Sequence, residues 1–451
     1  MNIDFIILAA GKGTRMGGSL PKVLCPLGGK PMVQHLIDTV SGIKNSKIHL
    51  IVGHEPELVR KSLTVKKNTD FVHQKQQLGT GHAVKQALKN LRSNSIAVVL
   101  YGDGPLIKKS TLTKLIASAK KGNLSLLTYK TTTPKGYGRI VRGKNNAVAR
   151  IVEENDATKE ERLLEEVNSG ILSLQSKHLK SLVEKISNKN AVKEYYLTDI
   201  VDLANKAQIN VKATIVEDVI QVLGVNSLQE LHDLERSYQM GLAVDLMSKG
   251  VRVADVSRLD IRGNLKVGQG TYIDINSVFE GTNKVGKNVS IGPNCYLKNS
   301  TIKDGANILS NSVIEDSTIG QNCVLGPFVR LRGGTEMLPG SELGNFVEAN
   351  RSNIGPSSKA KHFTYLGDAT LGSKVNVGAG TITCNYDGKN KNKTVIEDGA
   401  FIGSNSSLVA PVKIGKKAYT GAGSVITKNV GDGELAIGRG KQVNLKKKKK
   451  K

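Results

Sequence analysis

The chain has no tryptophan, and phenylalanine and tyrosine bring the aromatic share to only 4% of 451 residues. That scarcity counts against a nucleic-acid surface built on stacked rings. Its four cysteines, Cys25, Cys295, Cys323 and Cys384, stand far apart with no Cys-x-x-Cys pair. This excludes a disulfide framework and a cysteine zinc site, and it fits a reducing, cytoplasmic setting. No apolar run approaches the roughly 20 residues of a membrane helix, so no membrane insertion is expected. Phe5–Ala10 follows Asp4 and no basic segment, so it reads as a strand and not as a secretory signal. Acidic residues are few: 39 Asp and Glu face 65 Lys and Arg, for a net charge of +26, six of it in Lys446–Lys451. A basic chain invites a nucleic-acid reading. No DNA or RNA motif accompanies the charge, so anionic small-molecule substrates and a lysine-rich background are the better account. The lysine tail reads as solvated and disordered.

What is present falls into two halves. At 451 residues the chain exceeds one ordinary core, so two or more domains are expected. In the first half, short apolar runs (Ile48–Val52, Ile96–Leu100, Leu124–Tyr129) alternate with helical spacing over Thr80–Leu91 and Leu112–Ala119. That alternation predicts an α/β, Rossmann-like, mostly parallel sheet with ligands at the C-terminal strand ends. Ser227 to Gly250 reads as one helix, with Ser227 and Glu230 in capping positions and Leu228, Leu231, Leu234, Tyr238 and Leu242 as its stripe.

Beyond residue 252 an aliphatic residue recurs every six positions, often followed by glycine. Val285, Ile291 and Leu297 keep the step, as do Ile396, Ile402, Leu408, Ile414, Thr420 and Ile426. Three such hexapeptides make one triangular coil of a parallel β-helix. The period breaks at Gly333–Asn353 and Thr383–Lys393, and both breaks are expected to emerge as loops.

The most telling string is Leu8-Ala9-Ala10-Gly11-Lys12-Gly13-Thr14-Arg15-Met16, with Pro21-Lys22 behind it. A glycine-rich turn after a strand brings backbone N–H groups close to an anion, and Arg15 and Lys22 add cations at the same mouth. The expected ligand is a polyphosphate. The pattern is neither a P-loop nor a dinucleotide fingerprint. It resembles the signature of sugar-1-phosphate nucleotidyltransferases. Asp103, at the tip of a buried strand in Tyr101-Gly102-Asp103, suits Mg²⁺. Gln74 and Gln77 offer amides that can read a base edge.

Gly136-Tyr137-Gly138, Ile151-Val152-Glu153, Asn168-Ser169-Gly170 and Gly224-Val225-Asn226 follow in order ahead of the hexapeptides. With this set the chain resembles the bifunctional bacterial N-acetylglucosamine-1-phosphate uridyltransferases/glucosamine-1-phosphate acetyltransferases. The resemblance implies that Gly11, Arg15 and Lys22 hold the UTP phosphates, beside Leu8, Ala9 and Ala10. It gives uracil to Gln74, Gly79 and Thr80, and nucleotide-sugar contacts to Tyr101, Gly102 and Asp103. It gives Mg²⁺ to Asp103 and Asn226, and the amino sugar to Gly138, Glu153 and Asn168. Gly104 stands where the family has a larger apolar residue.

In the second half His362 is the sole histidine beyond residue 232. An acetyltransferase needs a base that titrates near neutral pH, and histidine suits that. The resemblance implies His362 as catalytic base, with Glu348 orienting or polarising the site. It assigns the amino-sugar substrate to Arg332, Asn350, Tyr365, Asn376, Asn385 and Tyr386, and acetyl-CoA to Ala379, Ser404, Ala422 and Arg439. Asn350 replaces the family's lysine in Asn-Phe-Val-Glu-x-Lys, and Arg351 follows it. As a strand neighbour, Arg351 is expected to face away from the phosphate unless the period break makes a bulge.

The implied organisation is a uridylyltransferase domain over 1–226, a linking helix over 227–250, a left-handed β-helix acetyltransferase domain over 251–440 and a basic tail over 441–451. The implied assembly is a homotrimer. The alternative is a nucleotidyltransferase whose β-helix is only regulatory, as in ADP-glucose pyrophosphorylases; His362 and Asn385-Tyr386 speak against it.

Overall fold

The computed structural model describes residues 1–446 except Lys12, Thr14, Arg15 and Ser19. The chain divides into two compact units, Met1–Ser237 and Tyr238–Lys451. In the first, apolar runs too short for buried helices form strands. The sheet order is Val211–Ile215, Leu124–Lys130, Glu166–Gln175, Ile96–Tyr101, Ile3–Ala9, Ser46–Val52, Thr69–His73. All pairs along it are parallel except those of Glu166–Gln175, which is antiparallel to both neighbours. Alternate residues of Ile3–Ala9 feed two cores. Phe5 and Ile7 join the core that includes helices Met32–Ser41 and Lys109–Lys120, and Ile6 joins the one that includes Thr80–Ala87. The parallel register sets Ala9 beside Val52 and Leu8 beside Tyr101. Three strands therefore end together, and the turns after them form one rim.

The helix expected at 227–250 spans Leu228–Ser248. The Glu230 N–H donates to Ser227 Oγ (3.2 Å), while the Glu230 carboxylate accepts from the Asn226 N–H, one residue ahead of the usual capping-box partner. Gly250 ends it with φ of 85°. The stripe is corrected at its start: Leu228 is 60% exposed, while Leu234 is buried, and Ala243 and Leu246 join the core of the second unit. Gln239 is buried too. Its amide pairs with the Ile261 peptide in both directions, at 2.9 and 2.8 Å.

In the second unit the hexads wind into a parallel β-helix. Val285, Ile291 and Leu297 take the three faces of one coil, and the next coil places Ile302, Ile308 and Ile314 directly on them. Side chains in these three columns are almost wholly buried, each contributing roughly 1.5–3 kcal/mol. Cys295 and Cys323 lie among them, and all four cysteines are free.

Coils through Asp368 turn their corners through positive φ, where asparagine and glycine are least penalised. One corner runs Asn276, Asn294, Asn311, Phe328, Phe346, Phe363, Gly380, Asn405 and Gly423. Its asparagines hydrogen-bond from coil to coil (2.8 and 3.3 Å), and its phenylalanines stack with ring centres 5.2 Å apart. A second corner runs Gly281, Asn299, Asp316, Gly333, Arg351 and Asp368.

The two period breaks behave differently. Partner residues lie 17 or 18 positions apart through Leu325, Leu343, Ala360 and Val377, so no loop projects at Gly333–Asn353. One extra residue, at the Gly333-Gly334 corner, absorbs that break. Between Val377 and Ile402 the spacing stretches to 25, and residues 385–392 form a real loop. Asn392 N–H closes its base on Asn385 O at 2.7 Å.

Coil stacking leaves no room for a side chain at Gly344, where a Cβ would land on the Lys361 carbonyl. Gly344→Ala is expected to cost the β-helix about 1–3 kcal/mol. Thermal unfolding should show its transition lowered while that of the first unit stays in place.

Candidate active sites

Two adjoining cavities of about 240 Å³ each open on the rim of the first unit and share Tyr101 and Asp103. The first is lined by Leu8, Ala9, Ala10, Gly11, Lys22, Gln74, Gly79 and Thr80. The second is lined by Gly138, Glu153, Asn168 and Asn226. The residues expected at nucleotide and at amino sugar thus separate into two neighbouring chambers. Arg15, expected at the phosphates, lies outside the described residues.

Local backbone explains the glycines. A Cβ at Gly102 would press on Leu8 O (2.9 Å), and Gly102 N–H donates to that same oxygen at 2.8 Å. Gly102 therefore takes no part in the lining; it lets the two strand ends meet. Gly79 has φ of 109°, and a Cβ there would strike the Tyr195 backbone (2.6 Å). Gly13, at φ of 61°, gives way to the Lys22 side chain. At Gly11 a Cβ would meet nothing within 4 Å, so the space above it belongs to the cavity. At Gly104 a Cβ would make ordinary contacts of 3.6 and 3.7 Å, so the turn does not require glycine there.

The Lys22 ammonium contacts the Asp103 carboxylate and donates to Asn226 Oδ1 at 3.1 Å. These two oxygens, from distant parts of the sequence, converge on one cation. Both are hard donors, as Mg²⁺ prefers, and phosphate and water would complete its shell. Among the described residues no group of three His, Cys, Asp or Glu could hold a metal. A Mg²⁺ here would rest on one carboxylate and one amide. Gln74 is buried and already engaged: its Nε2 lies 3.0 Å from His82 Nδ1.

Burial lifts the Glu153 carboxyl above the usual carboxylate range, against the hydrogen bond from Thr198 Oγ1 (2.8 Å); Asp199 and Asp156 add repulsion. Burial also raises the neighbouring Tyr101 phenol. Asn168 is fixed at its backbone, its N–H donating to Gly138 O (2.8 Å) and its Oδ1 accepting from Gly170 N–H (3.0 Å). Thr198, Gln77 and Glu194 also line the chambers. Thr198 and Glu194 carried no motif signal in the sequence.

On the β-helix the assigned residues fall into two groups that meet at the Phe363 corner. His362, Ala379, Ser404 and Ala422 each stand two residues past the partners Ala360, Val377, Ile402 and Thr420. They occupy one position on four successive coils, just ahead of a corner. Arg439 Nη1 donates to Ala422 O (2.6 Å) and extends the column. Its residues line up on an exposed edge, with His362 at one end.

The other group lies past the corner. Glu348 pairs with Tyr365, and Arg332 with Asn350. Arg332 Nε and Nη2 donate to Glu348 Oε1 at 2.8 and 2.7 Å. A Cβ at Gly367 would meet both Tyr365 Oη (2.6 Å) and Asn385 Nδ2 (2.7 Å), so these two polar tips converge where the glycine leaves room. Asn350 is only 4% exposed. Asn376 is exposed on the face that carries His362, paired with Lys359. Tyr386 is exposed in the 385–392 loop, with the Lys391 ammonium 4.5 Å from its ring centre.

Arg351 is corrected: it follows the strand as a corner residue with φ of 51°, so strand alternation does not govern it. Its guanidinium grips Asp368 by two bonds, 2.7 and 2.9 Å. Asp368 was missed in the sequence, where an aspartate after glycine reads as a turn former.

Known proteins match this architecture along its length. Residues 5–168 match the model of the MobA-like NTP transferase domain, 261–386 the GMPPB C-terminal domain, and 393–428 the bacterial transferase hexapeptide with six repeats. The chain is 50% identical to the bifunctional protein GlmU of Marinobacter nauticus over 443 residues, 98% of this chain and 97% of that one. It is 50% identical to the protein of that name from Idiomarina loihiensis, covering 99% and 97%. For Saccharophagus degradans the figures are 49%, 98% and 98%. With half of all positions shared across nearly the full length of both chains, this chain belongs to the family of bifunctional GlmU proteins.

Proposed function

We propose that the two sites perform successive steps on one sugar. The protein is a bifunctional enzyme of UDP-N-acetylglucosamine synthesis, with glucosamine-1-phosphate acetyltransferase and uridylyltransferase activities. The assignment of steps to sites is carried by the β-helix column, where His362 ends a line of acetyl-CoA positions beside a cationic and polar patch. A purely regulatory β-helix would share the alignment but gives no reason for a histidine and a cationic, polar patch at its end. In this reading residues 1–226 form the uridylyltransferase domain, 227–250 the linking helix and 251–440 the acetyltransferase domain.

In acetyl transfer, the amino nitrogen of glucosamine-1-phosphate attacks the thioester carbonyl. His362 takes the proton, the C–S bond breaks and coenzyme A leaves as the thiol. Arg332, Tyr365 and Asn385 hold the sugar phosphate, and Glu348 orients Arg332. In uridylyl transfer, a phosphate oxygen of N-acetylglucosamine-1-phosphate attacks the α-phosphorus of UTP, and pyrophosphate leaves. Gly11 and Lys22 bind the UTP phosphates, and Glu153, Asn168 and Gly138 orient the acceptor. Positioning and charge neutralisation supply most of the rate enhancement. Asp103 and Asn226 would hold Mg²⁺, whose charge offsets that of the phosphates. The exposed stack Phe328, Phe346 and Phe363, beside His362, supports a homotrimer in which a second copy covers that corner. No helix among the described residues is long and apolar enough to cross a membrane, and a cytoplasmic setting fits the free cysteines.

Asp103→Ala should abolish uridylyl transfer and leave acetyl transfer intact, while His362→Ala should do the reverse, lowering acetyl transfer by about 10²–10⁴-fold. Separate assays of coenzyme A thiol and of pyrophosphate decide it. Loss of both activities in either folded variant would refute the division of labour.

Glu153 gives a second test. Its raised carboxyl means that the folded unit holds this proton more tightly than the unfolded chain. The stability so gained is complete below the unfolded value, near pH 4, and is lost as pH rises through the folded value. Near neutral pH, Glu153→Gln should therefore melt at the same or a higher temperature than the parent. Its KM for N-acetylglucosamine-1-phosphate should rise about tenfold. A lower melting temperature with unchanged KM would make Glu153 a structural group only.

A further inference from the structure

Asn350 and Arg351 together raise a question of charge. Where the family places a lysine, this chain has a buried, neutral asparagine, and the nearest cation in sequence is Arg351. The simple reading is that Arg351 has taken over the sugar phosphate. The hydrogen bonds point elsewhere. The fork edge of Arg351, Nε and Nη2, is engaged with Asp368, one bond on each carboxylate oxygen (2.7 and 2.9 Å). The fork-to-carboxylate geometry is the strongest pairing available to an arginine side chain. The same Asp368 carboxylate, through Oδ2, accepts from the Asn385 side-chain amide. Arg351 and its hydrogen bonds hold the Asp368 carboxyl below the usual range, so it remains an acceptor through the working pH.

The arrangement is a chain of three side chains on three levels of the solenoid. Arg351 and Asp368 take the same corner on successive coils, with φ of 51° and 49°. Asn385 stands at the mouth of the projecting 385–392 loop. It is 5% exposed, and its carbonyl closes that loop by accepting from Asn392 N–H. The next residue is Tyr386. Next to this chain, Tyr365 Oη and Asn385 Nδ2 converge at Gly367.

We infer that Arg351 and Asp368 are positioning residues for acetyl transfer: Arg351 fixes Asp368, and Asp368 fixes the Asn385 amide and the base of the 385–392 loop. Arg351 does not contact the sugar phosphate. Asn385 has a donor and an acceptor end that a free amide could exchange by rotation. The Asp368 carboxylate accepts only, so it selects the donor end and holds Nδ2 where it converges with Tyr365 Oη at Gly367. The inference rests on the assignment of amino-sugar binding to the His362 corner.

The test is one of sign. Asp368→Asn keeps the shape of the side chain but cannot take both bonds from Arg351, which releases the guanidinium. If Arg351 were a phosphate clamp restrained by Asp368, freeing it would lower the KM for glucosamine-1-phosphate. In the positioning account that KM rises about tenfold, the scale of one charge-assisted hydrogen bond. Arg351→Ala should raise it by a similar factor. The double variant should be no worse than either single one, since both act through Asn385. Arg351→Lys, which keeps the charge without the fork, should shift it in the same direction by less. KM for acetyl-CoA and uridylyl transfer should stay at parent values, and thermal unfolding confirms the fold.

A lowered KM in Asp368→Asn, or full additivity in the double variant, overturns the inference. So does a fall in kcat alone at unchanged KM. Should Asp368→Asn fail to fold, Arg351→Lys and Arg351→Ala decide alone: an unchanged KM in both is a refutation. His362→Ala is run beside them. If it retains acetyl transfer, the fault lies in the assignment of the site and not in the relay.

Discussion

Coil-on-coil registry is the constraint from which the proposed acetyl-transfer site follows. Each coil must place its inward side chains on those of the coil below, and many of its corners pass through positive φ to do so. Ile291, Ile308 and Leu325 lie in one column because that register buries them. Any residue at a fixed offset from such a column is then also aligned from coil to coil. His362, Ala379, Ser404 and Ala422 come into line for this reason alone. The apolar interior therefore builds a straight, exposed edge suited to an extended cosubstrate. Where a coil takes in extra residues, the registry decides their fate. One residue disappears into the Gly333-Gly334 corner, while the longer insertion between Val377 and Ile402 must leave the surface, carrying Asn385 and Tyr386 to the site.

The first unit reaches its geometry by another route. Parallel strands end at the same level, so the turns following Ile3–Ala9, Ser46–Val52 and Ile96–Tyr101 share a rim. Glycines at 79 and 102 let backbone and neighbouring chain approach without a Cβ between them. The resulting pair of chambers shares a wall, Tyr101 and Asp103, where the proposed reaction brings nucleotide and sugar phosphate together. Lys22, Asp103 and Asn226 already converge there. Burial sets the opposite demand on Glu153, whose carboxyl is kept in a poorly solvated pocket at some expense of stability.

Much of this was legible in the sequence. Six-residue periodicity is a strong signal because only one backbone satisfies it over so long a stretch, and the Gly11–Met16 string reports strand, turn and charge at once. The clustering of Gln74, Gly79, Asp103, Glu153, Asn168 and Asn226 came only through resemblance, since nothing local ties residues so far apart. What stayed hidden depends on three-dimensional offset. Leu228 was placed in the apolar stripe by helical spacing, yet it is exposed; Gln239 lay outside that stripe, yet it is buried and pairs with the Ile261 peptide. Arg351 was treated as a strand residue because a corner adds one positive φ that periodicity does not announce. Asp368 looked like any turn aspartate, and its bonds to Arg351 and Asn385 lie on neighbouring coils.

The central claim is that two separate sites on one chain act in sequence through a released intermediate. Complementation in a mixture tests it most directly. Purified Asp103→Ala protein and purified His362→Ala protein are each supplied with glucosamine-1-phosphate, acetyl-CoA, UTP and Mg²⁺, alone and then mixed, and UDP-N-acetylglucosamine is quantified. Neither alone should form appreciable product, and the mixture should form it after a lag while N-acetylglucosamine-1-phosphate accumulates. A mixture as inactive as its components, with both proteins folded, would contradict the account.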